Sequence, residues 1–69
     1  MAHLTYQQMR LMELIDAARR EQRLYLVAPV ETDDARACAD AGLLDLGEDG
    51  SACLTAAGQG YIIDLNTGA

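Results

Sequence analysis

Apolar residues between Leu4 and Arg20 recur every three or four positions, at Leu11, Leu14, Ile15 and Ala18, with Met12 widening the stripe. That period belongs to a helix with one buried face, and it predicts an amphipathic helix over Thr5–Arg20. Thr5 and Gln8 stand at capping-box spacing, and Leu4 and Met9 occupy the two ends of a hydrophobic staple in the same frame. Arg10, Glu13, Asp16 and Arg20 fall on the opposite, polar face, with Asp16 placed to pair with Arg20 one turn on. The cations of residues 19–23 suit the negative end of the helix dipole.

The period then changes. Residues 24–28, LYLVA, carry β-branched and aromatic side chains and stop at Pro29, which predicts a short strand. Residues 31–42, ETDDARACADAG, predict a shorter helix. Thr32 is placed to cap it, Asp33 and Asp34 lie in its first turn, and Gly42 can end it in a left-handed conformation. Its apolar face is Ala35, Cys38 and Ala39; its outward face is Asp33, Arg36 and Asp40. Residues 43–55 predict a β-hairpin centred on Glu48-Asp49 or Asp49-Gly50. Either register sets Leu44, Leu46 and Cys53 on one face, with Asp45 pointing the other way.

Two readings fit the residues after Thr55. One is a helix capped by Thr55 and running through Tyr61, Ile62 and Leu65, in which Gly58 and Gly60 each cost about 1 kcal/mol relative to alanine. The other makes residues 61–65, YIIDL, a strand pairing with LYLVA. The helix is preferred, and residues 66–69 are expected to fray. Together the elements predict one compact α+β domain over residues 1–69.

Half of the 69 residues are hydrophobic, although Phe and Trp are absent, which argues for a folded core and against disorder. Residues 1–30 set Arg10, Arg19, Arg20 and Arg23 against Glu13, Asp16 and Glu21, a net of +1. Residues 31–69 set Arg36 alone against eight acids, Glu31, Asp33, Asp34, Asp40, Asp45, Glu48, Asp49 and Asp64, a net of −7. Such asymmetry bears on partners. No stretch approaches the roughly 20 apolar residues of a membrane span, and no secretory leader pattern is read at the amino terminus. A cytoplasmic, reducing location is expected.

The carboxy-terminal half resembles winged-helix DNA-binding domains. Gly42, Leu43 and Leu44 look like the exit of the recognition helix, Gly50 like the wing turn, and Leu54, Thr55 and Gly58 like the departure from the wing. The resemblance implies a winged-helix-like fold, with helix, short strand, helix, hairpin wing and closing segment in that order, and DNA binding as the family activity. Two features depart from it. Residues 29–42 hold one helix where a helix-turn-helix needs two. The residues that would meet DNA are Asp33, Arg36, Asp40, Glu48 and Asp49, and carboxylates repel a polyanion that gains its affinity from Lys and Arg. Arg36 is also expected to lose part of its charge to Asp33 and Asp40. In the DNA-binding alternative, a transcriptional regulator acting as a dimer, the contacts would be Arg10, Arg19, Arg20, Arg23 and Arg36.

The acidic half points instead to a basic protein partner. In size, charge and simplicity the chain is similar to small phage-encoded inhibitors of bacterial defence, including anti-CRISPR proteins, some of which mimic the charge of DNA. That resemblance implies a non-enzymatic inhibitor covering the basic groove of a nucleic-acid-binding complex, through Asp33, Asp34, Asp40, Asp45, Glu48 and Asp49. A third possibility is an assembly module, a monomer or homodimer, with Met9, Met12, Leu24 and Tyr25 as apolar contacts.

Catalytic chemistry has little support. His3 is the single histidine, so no base is positioned for a nucleophile. Cys38 and Cys53 lack zinc-site spacing and partners and are expected as buried free thiols, a disulfide being the lesser alternative. Residues 45–50, DLGEDG, do not have the ligand pattern of a calcium loop, and residues 58–60, GQG, are no dinucleotide fingerprint. Neither metal nor cofactor is expected.

Overall fold

The computed structural model describes residues 4–67. Three α-helices, α1 (Tyr6–Arg20), α2 (Thr32–Asp40) and α3 (Ala56–Thr67), pack on one side of a three-stranded antiparallel sheet. Its strands are β1 (Tyr25–Leu26), β2 (Leu44–Leu46) and β3 (Ser51–Leu54), in the order β1-β3-β2. The fold is α+β, and its element order is the winged-helix-like one expected.

The start of α1 follows its local sequence. The Thr5 hydroxyl accepts from the Gln8 amide at 3.1 Å, and the Gln8 side chain accepts from the Thr5 amide at 3.1 Å. Leu11, Met12, Ile15 and Ala18 are buried. Leu14, expected among them, is 43% exposed at the stripe's edge. Asp16 reverses its expected place. It is 7% exposed, and Arg19 and Arg20 fold over it at 2.8 and 3.2 Å. Two cations one turn on can follow a carboxylate inward and screen it, which a reading by polarity alone assigns to water.

Both α1 and α2 end in the same hydrogen-bonded loop. After α1, Gln22 donates to the Arg19 carbonyl and Arg23 to the Ala18 carbonyl; after α2, Gly42 donates to Ala39 and Leu43 to Cys38. This Schellman pattern needs a left-handed residue. Gly42 supplies it at φ +81°, as expected, whereas Gln22 holds φ +60° with a side chain attached.

The strand expected over residues 24–28 shortens to two residues, paired as Tyr25↔Ala52 and Leu26↔Ser51. Pro29 opens a 3-10 turn, Pro29–Glu31, that runs straight into α2. Thr32 is therefore a helical residue and not the cap. The Glu31 carboxylate takes up the preceding chain, accepting from the Ala28 amide at 3.0 Å and the Tyr25 hydroxyl at 2.9 Å.

The hairpin turns about Asp49, between the two registers expected. Gly47 donates to the Ser51 carbonyl and Gly50 to the Gly47 carbonyl, leaving the three-residue loop Glu48–Gly50 with Gly50 left-handed at φ +86°. Three-residue loops of this kind are a standard hairpin solution. The pairs are Leu44↔Leu54, Asp45↔Cys53 and Leu46↔Ala52. One residue of register flips a side chain to the other face, so Cys53 stands exposed beside Asp45 while Ala52 and Leu54 enter the core. Cys38 is a buried free thiol and Cys53 an exposed one.

The segment after Thr55 is helical, as preferred, and continues to Thr67, two residues into the stretch expected to fray. Thr55 caps it by accepting from the Gly58 amide at 3.0 Å, and its hydroxyl donates to the Gly42 carbonyl at 2.6 Å. Gly58 is buried where any Cβ would overlap the Leu43 carbonyl. The helix can lie this close to the hairpin only because that position has no side chain.

The core combines Leu11, Met12 and Ile15 of α1 with Ala35 and Cys38 of α2, Leu44, Ala52 and Leu54 of the sheet, and Ile62 of α3. Small residues on α2 and β3 let the layers approach closely enough to be filled without large aromatics.

Candidate functional site

Exposed charge separates by element. The cations gather on α1 and its exit, and three of them are already engaged: Arg19 and Arg20 with Asp16, and Arg23 with Glu21 at 2.6 Å. Arg10 and Arg36 make no ion pair among the described residues. Asp33 and Asp40, expected to draw on the charge of Arg36, do not reach it within ion-pair distance. Arg36 instead borders a groove of about 150 Å³ between α2 and the hairpin, floored by Val27, Ala35 and Leu46 and edged by Gly47, Gly50 and Ser51.

The six acids named from sequence divide into two kinds. Asp34 and Asp49 are tied into the fold. Asp34 is half-buried, receives the Gln8 side-chain amide at 3.5 Å, and faces Cys38. Burial, with the Asp34 charge second, raises the Cys38 thiol above its ordinary pKa, so this thiol is held protonated and unreactive. Asp49 accepts from the Ser51 amide at 3.0 Å. Hydrogen bonds from the Ser51 side chain and then its amide hold the Asp49 carboxyl below the usual carboxylate range. It shapes the loop.

Asp33, Asp40, Asp45 and Glu48 are the other kind. All four are exposed, and among the described residues none of their side chains has a hydrogen-bond or ion-pair partner. Asp33 and Asp40 are seven residues apart, two helical turns, and share the outward row of α2. Asp45 stands on the outer face of the sheet, away from the helices, and Glu48 at the hairpin tip. The four thus lie on α2 and the adjoining hairpin, two elements that pack on each other, but not in a single plane.

Position along α2 distinguishes Asp33 from Asp40. Asp33 lies in the first turn, where the helix dipole favours an anion; Asp40 is the last helical residue, where it opposes one. No basic residue lies in the last turn of α2, and among the described residues Asp40 has no ion-pair partner.

The residues proposed as an apolar contact do not form one. Met12 is wholly buried, Tyr25 is half-buried against the core, and of the four only Leu24 is strongly exposed, at 64%. The Tyr25 hydroxyl donates to Glu31, and burial together with that carboxylate pushes its pKa up to about 12. Sequence reading placed Arg10 and Glu13 on the polar face of α1 but not exposed Tyr6 and Leu14, which border them. Tyr6 stands four residues before Arg10 and Leu14 four after it, which was the available signal.

His3 lies outside the described residues. Among those described, no three His, Cys, Asp or Glu side chains gather as metal ligands, and no helix is long and apolar enough to cross a membrane. No protein-family model matches the chain, and neither a curated protein nor a solved structure shows significant similarity to it.

Proposed function

We propose that this domain works without catalysis, by presenting the free carboxylates of α2 and the hairpin to a basic surface on a partner protein. The observation that carries the reading is the set Asp33, Asp40, Asp45 and Glu48, whose side chains are exposed and unpartnered among the described residues, while Arg19 and Arg20 share the Asp16 carboxylate and Arg23 pairs with Glu21. Unpaired surface charges have no internal ion pair to break before they meet a partner's cations, and a one-signed field speeds encounter and fixes orientation. Asp40 strengthens the case, since it stands in the last turn of α2, where the helix dipole disfavours an anion and no basic residue accompanies it. A groove that ordinarily holds nucleic acid is the partner surface such carboxylates suit. In that role the protein is a cytoplasmic, winged-helix-like inhibitor of a nucleic-acid-binding complex, of the anti-CRISPR-like kind that phages and mobile elements carry.

The test is competition. The protein is titrated against duplex DNA alone and against basic nucleic-acid-binding complexes loaded with DNA, at two salt concentrations. The inhibitor leaves free DNA untouched and displaces it from a complex, and Asp40→Lys with Glu48→Lys abolishes displacement while the melting curve is kept. Asp49 is unsuited to this test because its carboxylate holds the hairpin loop. Direct binding to DNA with an affinity that falls steeply in salt, lost on changing Arg10 and Arg36, would establish the regulator reading instead.

A further inference from the structure

Among the described residues, one face of α1 is left largely uncovered, with Ala17 half-buried on it. Tyr6, Arg10, Glu13, Ala17 and Arg20 succeed one another at intervals of four, three, four and three residues, which places them on a single line along a helix. Tyr6 is 72% exposed, and Val30, across a shallow cleft from Arg10 and Leu14, is 87% exposed. Arg10 and Glu13 stand on this line without an ion-pair or hydrogen-bond partner among the described residues.

We infer that this line is an interface with a second copy of the chain, the two α1 helices lying antiparallel about a two-fold axis. Such an axis makes every contact reciprocal. Crossing α1 midway between Arg10 and Glu13, it sets Arg10 against the partner's Glu13 and Glu13 against the partner's Arg10. The same axis lays each Tyr6 ring over the small Ala17 of the other copy. Sliding the partner by one heptad toward Arg20 sets Arg10 against Arg20, and an in-register parallel pairing sets Arg10 against Arg10 and Glu13 against Glu13. The occupant is a copy of this chain, because Arg10 and Glu13 complement their own copies about that axis. The sheet packs on the opposite, core-facing side of α1, so the hairpin acids of both copies remain outside the contact, available as before.

A 15-residue helix is about 22 Å long, and one helix pair covers less than the roughly 800 Å² per partner of a standard interface. The dimer is accordingly weak. Sedimentation equilibrium with the full chain, carried from micromolar to millimolar concentration, tests it. Arg10→Glu alone and Glu13→Arg alone each place like charges together twice and weaken association by at least about tenfold. The double variant carrying both changes restores the pairs and recovers the parent's association to within about threefold. A parent that stays monomeric throughout, single reversals that associate as well as the parent, or a folded double variant that does not recover would each overturn the inference. Dilution of the unaltered protein gives an independent reading in its amide spectrum. Signals of Tyr6, Arg10, Glu13 and Ala17 should move with concentration while those of Asp45 and Glu48 stay fixed, and the reverse pattern would also overturn it.

Discussion

Residues 5–23 and residues 42–62 satisfy their polar groups in opposite ways. In the first region the partners are neighbours in sequence: Thr5 with Gln8, Asp16 with Arg19 and Arg20, and Arg23 with Glu21. Among the described residues, only the long reach of Gln8 to Asp34 leaves the segment by a side chain. In the second region, beside the local bonds of Ser51 to Asp49 and Gly58 to Thr55, other links join its two ends. The Thr55 hydroxyl binds the Gly42 carbonyl, the Thr55 amide binds Leu43, and Gly58 lies against that same Leu43. A segment of the first kind is specified before the chain folds. One of the second kind takes shape only when the chain returns to itself, and single atoms there carry more of the stability.

Gly58 offers the sharpest way to break the second region. In Gly58→Ala the new methyl overlaps the backbone of Leu43, which cannot yield without moving α3 off the hairpin. The expected loss is about 3 kcal/mol or more, close to the whole net stability of roughly 3–5 kcal/mol for a domain this small. Helical circular dichroism and urea titration at 25 °C should find the variant largely unfolded. Two residues along the same helix, Gly60 has open space around it. Gly60→Ala should stabilise by up to about 1 kcal/mol through helix propensity and a more restricted unfolded chain. Opposite signs for these two substitutions are the signature of a helix positioned by one remote contact; equal signs would show that α3 is governed by propensity alone.

The two threonine caps compare the regions with chemistry held constant. Thr5→Ala removes one exposed capping box and should cost about 1 kcal/mol. Thr55→Ala removes a cap and also the link to Gly42, leaving that carbonyl without its hydroxyl donor, so about 2 kcal/mol is expected. Urea unfolding of both variants measures the difference. Equal losses would mean that the Thr55–Gly42 bond adds nothing beyond capping.

Legibility follows the same division. The start and end of α1 could be read because capping box, apolar stripe and terminal cations all lie within one segment. Even there Asp16 escaped, since its burial depends on two arginines folding back over it. The hairpin was evident from its glycines and acids, but the centre of its turn decides which face Cys53 takes, and Glu48-Asp49-Gly50 admits more than one centre. Gly58 read as an argument against a helix until the Leu43 carbonyl explained it. Charge asymmetry was plain in the composition. Which acids are engaged was not, because the ties of Asp34 to Gln8 and of Asp49 to Ser51 belong to loops and packing rather than to pattern.

The smallest expected effect bears most directly on function. Asp33 and Asp40 lie on one row of α2, both exposed to water, at opposite ends of the helix dipole. The helix dipole alone sets opposite expectations for their replacement by asparagine, whatever the acids serve: at the end of α2 the fold bears a small strain that neutralisation relieves. Asp40→Asn should then gain about 0.3–0.5 kcal/mol at low ionic strength, Asp33→Asn should lose a similar amount, and both effects should shrink in salt as the dipole is screened. Thermal melts at two salt concentrations resolve the signs. The informative outcome pairs them with the competition assay: an Asp40→Asn protein that is more stable and a weaker competitor carries its carboxylate for another molecule, whereas one that is less stable carries it for its own fold.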